Sequence, residues 1–343
     1  MENPIVKRLL NELAEEYKKD EGYFFSEKIE ACEGVQDEFG IYLEDFYSGH
    51  YLTSYGFEIL AHFGFSRSVH AILGLNDKNR FVEEASRTAI YAYLTLYIGC
   101  QTCKCTQGQS TIKMKRGMVH FAFNILTAHD AQVEQLGEFI IDGLNGANCT
   151  MQRGEYDSYG AWFIIELYSI YSDKEINKRR ALYPKDGYMP YDIVLADWDT
   201  GDMEQIDIFV TLLATKFLES ATIPMNENNE SEKRANLEIA HIQLFPYEIL
   251  TWLKLREKTG LKNPKTFTHP LMNTPIAKMF LDIKEPLPKP TELPYAKELL
   301  EKLKEKCPDV EIPEWLEGNT EQVLEAKKEE TQNNDIIPDD FLK

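Results

Sequence analysis

The chain has 343 residues, with 37 Lys plus Arg against 57 Asp plus Glu and a formal net charge of −20. At 43% hydrophobic and 12% aromatic residues it has the composition of a globular protein with a real core, not of a disordered chain. The acidic balance argues against nucleic acid and against an anionic membrane surface as partners, because both need a cationic face.

The opening residues, MENPIVKRLLNELAEEYKKDE, contain no apolar run behind basic residues, so no signal peptide is expected. No stretch approaches the roughly 18 consecutive apolar residues of a membrane span. A cytoplasmic protein is expected, with its six cysteines as thiols.

Helical spacing recurs along the chain. Ile5, Leu9, Leu10 and Leu13 form one stripe. Residues 51–75 follow with Leu52, Tyr55, Ile59, Phe63, Val69, Ile72 and Leu73, and Gly64 is expected to break or kink that helix. Residues 81–98 continue the pattern. Residues 114–126 and 131–144 read as an antiparallel pair joined at His129 and Asp130. Residues 157–171 carry Trp162, Ile165, Leu167 and Tyr168.

A short helix is expected over 190–198 and a longer one over 202–220. Between them lies the turn Asp199-Thr200-Gly201, with Gly201 suited to a C-cap region and Asp202 to an N-cap. The last long helix spans 238–258, and Pro246 either kinks it or starts a new one at Phe245. Gly260 ends it. Strand signals are poor, with no alternating runs and no Asn-Gly or Asp-Gly hairpin. The expected fold is all-α: antiparallel helical hairpins packed as a bundle or a short solenoid.

Residues 1–281 form the expected helical domain. Over 282–343, Pro286, Pro288, Pro290 and Pro294 mark an extended linker, a short helix covers 295–306, and 318–343 reads as a mobile acidic tail. This segment holds 17 acidic and nine basic residues, or −8, which leaves −12 on residues 1–281.

Motifs of known chemistry are sparse. Cys100-Gln-Thr-Cys103-Lys-Cys105 could supply zinc or redox thiolates, but a closed zinc site needs a fourth ligand and none stands nearby. The bland reading is thiols at a helix end and in the following loop. The seven histidines form no HExxH or other tight pair. No nucleophile elbow, kinase set, P-loop or dinucleotide fingerprint is present. Asp197-Trp-Asp199-Thr-Gly201-Asp202 is acidic like a calcium loop, but glycine falls at position five and Ile208 at position twelve, so no calcium is expected. No cofactor is expected. A metal-dependent enzyme using Cys100, Cys103 and Cys105 stands as one alternative, and a helical scaffold with an unrelated partner as another.

Asp192, Asp197, Asp199, Asp202, Glu204 and Asp207 fall within sixteen residues that contain no Lys or Arg, beside or among Tyr188, Tyr191 and Trp198. Two readings stand. The acids are a solvated face around a capped turn, or the segment binds a basic protein, with aromatics as anchors and carboxylates selecting the partner.

The stretches YDSYGAWFIIELYSIYSD, GYMPYDIVLADWDTGDMEQIDIFVTLLATKFLES and IQLFPYEILTWLKLREKTG resemble the helical immunity proteins of bacterial polymorphic and type VI secretion toxin systems, in particular the PoNe-immunity type. The shared character is a Trp/Tyr helix, Tyr188-Met-Pro190-Tyr191-Asp192, an acidic turn, a long helix, and a later helix opening on Phe245-Pro246. The likeness covers about residues 154–281, is weaker over 51–150 and is absent beyond 282; the cysteine cluster and the tail depart from it. It implies a non-enzymatic protein that binds a cognate basic toxin, such as a DNase, and covers its active surface without metal or cofactor. The binding residues would be Tyr188, Tyr191, Asp192, Asp197, Trp198, Asp199, Asp202, Glu204 and Asp207. Self-association is left open.

Overall fold

A computed structural model describes residues 3–19, 54–102, 114–146, 159–178, 188–221, 243–313 and 316. Those residues form an all-α fold with no strand among them. The helices are α1 (Pro4–Lys19), α2 (Ser54–Leu73), α3 (Lys78–Thr102), α4 (Met114–Thr127), α5 (Asp130–Asn145), α6 (Tyr159–Ser172), α7 (Tyr191–Ala196), α8 (Met203–Ala221), α9 (Tyr247–Lys258), α10 (Pro275–Asp282) and α11 (Ala296–Lys306).

Side-chain caps set several starts. Asn3 Oδ1 accepts from the amides of Ile5 and Val6, and Asp77 Oδ1 from those of Asn79 and Arg80. Thr274 Oγ1 accepts from the Ala277 amide at the head of α10. Each satisfies donors that have no partner inside the helix.

α2 and α3 form the most extensive helix pair. α4 packs on α3, α5, α6 and α9, so it is the central helix. Four phenylalanines from different parts of the chain meet there. Phe245 lies 4.7 Å from Phe280 and 5.0 Å from Phe65, and Phe123 lies 5.4 Å from Phe280, centroid to centroid. Edge and tilted contacts of this kind add to the area the rings bury.

The structure corrects two local expectations and decides between the alternatives at a third. Gly64 does not break α2. A Cβ there would stand 2.4 Å from Thr88 Oγ1, so the glycine lets α2 and α3 approach closely. Gly201 does not cap α7, which ends at Asp197. Of the two alternatives at Pro246 the helix start holds, slightly later than Phe245: α9 begins at Tyr247 with Pro246 as its N-cap, and the expected residues 238–242 lie outside the described ones.

Across the boundary drawn at residue 281 the chain stays tied to the body. The Leu287 amide donates to the Thr127 carbonyl, Tyr91 Oη to the Pro294 carbonyl and Arg87 Nε to the Glu292 carbonyl. Leu299, Leu300 and Leu303 of α11 join the common core. The tail over 318–343 lies outside the described residues, as do Cys103 and Cys105.

Candidate functional site

Tyr188, just before α7, together with residues of α7, α8 and the turn between them, makes up the expected binding set. What positions the turn is Arg256, a fully buried arginine on α9. Its Nη1 donates to the Trp198 carbonyl at 2.5 Å, and its Nη2 donates to the carbonyls of Thr200 at 2.8 Å and Lys262 at 3.1 Å. Nε donates to Asn263 Oδ1, and the guanidinium lies 5.5 Å from the centre of the Trp252 ring. Trp252 Nε1 donates to the same Trp198 carbonyl. A buried cation is tolerable only with its donors satisfied, and here backbone carbonyls and one amide oxygen satisfy them.

The aromatic members of the set face inward. Tyr188 and Tyr191 are buried, with ring centroids 5.5 Å apart, and Tyr191 packs on Phe163. Trp198 is half-buried against the core. Tyr188 and Tyr191 therefore build the scaffold rather than offer exposed anchors, while Trp198 stays partly exposed.

Tyr191 Oη donates to Glu248 Oε2 at 2.8 Å. Glu248 is buried in the first turn of α9, also hydrogen-bonded by Tyr247, and beneath Gly160 of α6, where a Cβ would come 1.6 Å from Oε1. Burial pushes its carboxyl up to about 7, against the pull of the Tyr191 and Tyr247 hydrogen bonds and the Lys115 charge. The same burial raises both tyrosines. This carboxyl joins α6, α7 and α9 at one point.

The acids divide by role. Asp202 caps α8, its Oδ1 accepting from the Glu204 and Gln205 amides, as expected from sequence. Asp207 is half-buried and accepts from the amide and hydroxyl of Thr268. Asp192 accepts from the Ile193 amide and is exposed. Asp197, Asp199 and Glu204 are exposed.

Sequence reasoning missed the apolar part of this surface. Met189 is 61% exposed, Ile208 47%, Leu212 41% and Ile193 40%, and Met203 and Ile170 are exposed too. Leu75 is the one other large hydrophobic so exposed among the described residues. Glu204, Ile208 and Leu212 follow at intervals of four and share the outer face of α8, while Ile206, Phe209, Val210 and Leu213 fill its inner face. In sequence Ile208 and Leu212 lie among the many apolar residues of α8, and nothing local marks them as exposed. Beside α7 an open groove of about 400 Å³ lies against α6, with Glu166, Ile170, Lys178, Tyr188, Asp192 and Leu195 in its lining.

Comparison with known proteins finds no matching family model, no similar curated protein and no similar solved structure.

For the metal reading, no group of three or more His, Cys, Asp or Glu among the described residues is arranged to hold an ion. Cys100 is buried near the end of α3. His62 on α2 and His120 on α4 are held down at about 4 and about 3, chiefly by burial and further by Arg116, with His62 also depressing His120. Both are therefore neutral near pH 7. Among the described residues, no helix is long and apolar enough to cross a membrane.

Proposed function

We propose that this chain is a cytoplasmic immunity protein that binds a cognate antibacterial toxin through a basic toxin surface and so neutralises it. A DNase is the toxin activity that the resemblance of residues 154–281 implies. The observation that carries the reading is the coincidence over residues 189–212 of exposed aliphatics (Met189, Ile193, Met203, Ile208, Leu212) with carboxylates and no Lys or Arg, the next cation being Lys216 on α8. Large aliphatics held in water mark interaction surfaces when they gather. Carboxylates between them repel acidic partners and accelerate the approach of basic ones. Covering a nuclease's substrate channel needs shape and charge, not chemistry, so no catalytic residue or cofactor is assigned.

The test is co-expression with a candidate toxin taken from the genes beside this one. Growth should be restored and a complex should co-purify. A toxin that stays lethal and forms no complex ends the immunity reading, and leaves a helical scaffold with some other partner.

A further inference from the structure

We propose that the groove between α6 and α7 receives an arginine side chain of a basic partner, whose guanidinium replaces the Lys178 ammonium on the Glu166 carboxylate. This rests on the reading that the chain binds a basic protein.

Glu166 lies on the inner part of α6, its side chain only 9% exposed, and its carboxylate forms an ion pair with Lys178, whose own side chain is 55% exposed. The carboxylate is thus fixed by packing, whereas the lysine is a long, wet side chain laid over it. An ion pair open to water on one side is weak, so exchanging its cation costs little. A guanidinium is the better ligand for a fixed carboxylate, because its planar fork makes two parallel hydrogen bonds where an ammonium acts as a point charge.

The rest of the groove suits the same side chain. Ile170, Ile176 and Leu195 give apolar wall for an aliphatic stem. Asp192 stands in the lining as a second carboxylate and Tyr188 as a hydroxyl-bearing ring. Among the described residues Lys178 is the one cation of the lining, and it is the group displaced. The site joins the proposed docking face directly, since Asp192 also belongs to the acidic run and exposed Ile193 follows it on α7.

Amide NMR titration of the full chain with acetyl-arginine-amide, and separately with acetyl-lysine-amide, tests this without the toxin. The arginine probe should move the signals of Ser169, Ile170, Leu195 and Ala196 saturably, and bind more tightly than the lysine probe. Lys178→Ala, at an exposed side chain, should tighten the arginine probe about threefold by removing the internal competitor. Glu166→Gln should abolish saturation. Absence of saturable shifts at the groove, or an arginine affinity indifferent to Lys178→Ala, overturns the proposal even if Glu166→Gln fails to fold. The two readings fail separately. A saturable arginine response in a protein that binds no toxin upholds the groove and removes only the immunity reading. Toxin binding without any arginine response removes only the groove.

Discussion

Glu248 sits in the first turn of α9, where backbone amides without helical partners favour a negative charge, yet its burial favours the neutral acid. Burial wins, and the folded-state value rises from 4.5 to about 7. The sign follows from linkage. A carboxyl raised on folding contributes stability that is fully present below pH 4.5 and is lost as pH rises through about 7. Glu248→Gln removes that dependence. The stability of the native protein relative to the variant should therefore fall by about 3 kcal/mol between pH 4.5 and 7.5, read by urea unfolding across the range. His62 and His120 act oppositely, losing stability as pH falls below 6.5, and the comparison with the variant cancels them. Parallel pH curves for the two proteins would show that Glu248 is not the buried titrating acid. Gly160 bears on the same point: Gly160→Ala drives a methyl into the carboxyl and should cost about 2 kcal/mol.

At the scale of elements, Arg256 and Trp252 hold the α7–α8 turn from below. Arg256→Ala removes the Arg256 donors from the carbonyls of Thr200 and Lys262 and leaves the Trp198 carbonyl to Trp252 alone. It should destabilise by about 3 kcal/mol and raise hydrogen exchange first at residues 197–202, measured on the folded variant. Unchanged exchange in that turn would mean the staple does not position it. Helix positions and the Asp202 cap were legible, because apolar spacing and capping chemistry are local. What escaped was non-local. Gly64 reads as a break until Thr88, on the next helix, explains the missing side chain. Tyr188 and Tyr191 read as anchors until Tyr159 and Phe163 of α6 are seen to pack on them. Glu248 was one of 57 carboxyls, and nothing in its neighbours along the chain marks it as buried.

Over the whole molecule, the −20 charge has a place to act. Asp197, Asp199 and Glu204 are exposed, whereas Asp202 and Asp207 are engaged in capping and bracing. Reversing Asp197, Asp199 and Glu204 to lysine should slow association with the proposed toxin about tenfold or more at low salt and flatten its salt dependence, measured on the folded variant because Asp197 and Asp199 also act on the Arg256 charge. The aliphatics carry the other half of the account, since charge steers the encounter and apolar contact holds the complex. The most direct measurement is therefore the affinity of a toxin identified by co-expression for the native chain and for the Ile208→Lys, Leu212→Lys double variant, by titration calorimetry, with thermal unfolding run alongside. The account predicts an affinity lower by about 100-fold or more with an unchanged unfolding midpoint. Equal affinity in the two proteins would contradict it.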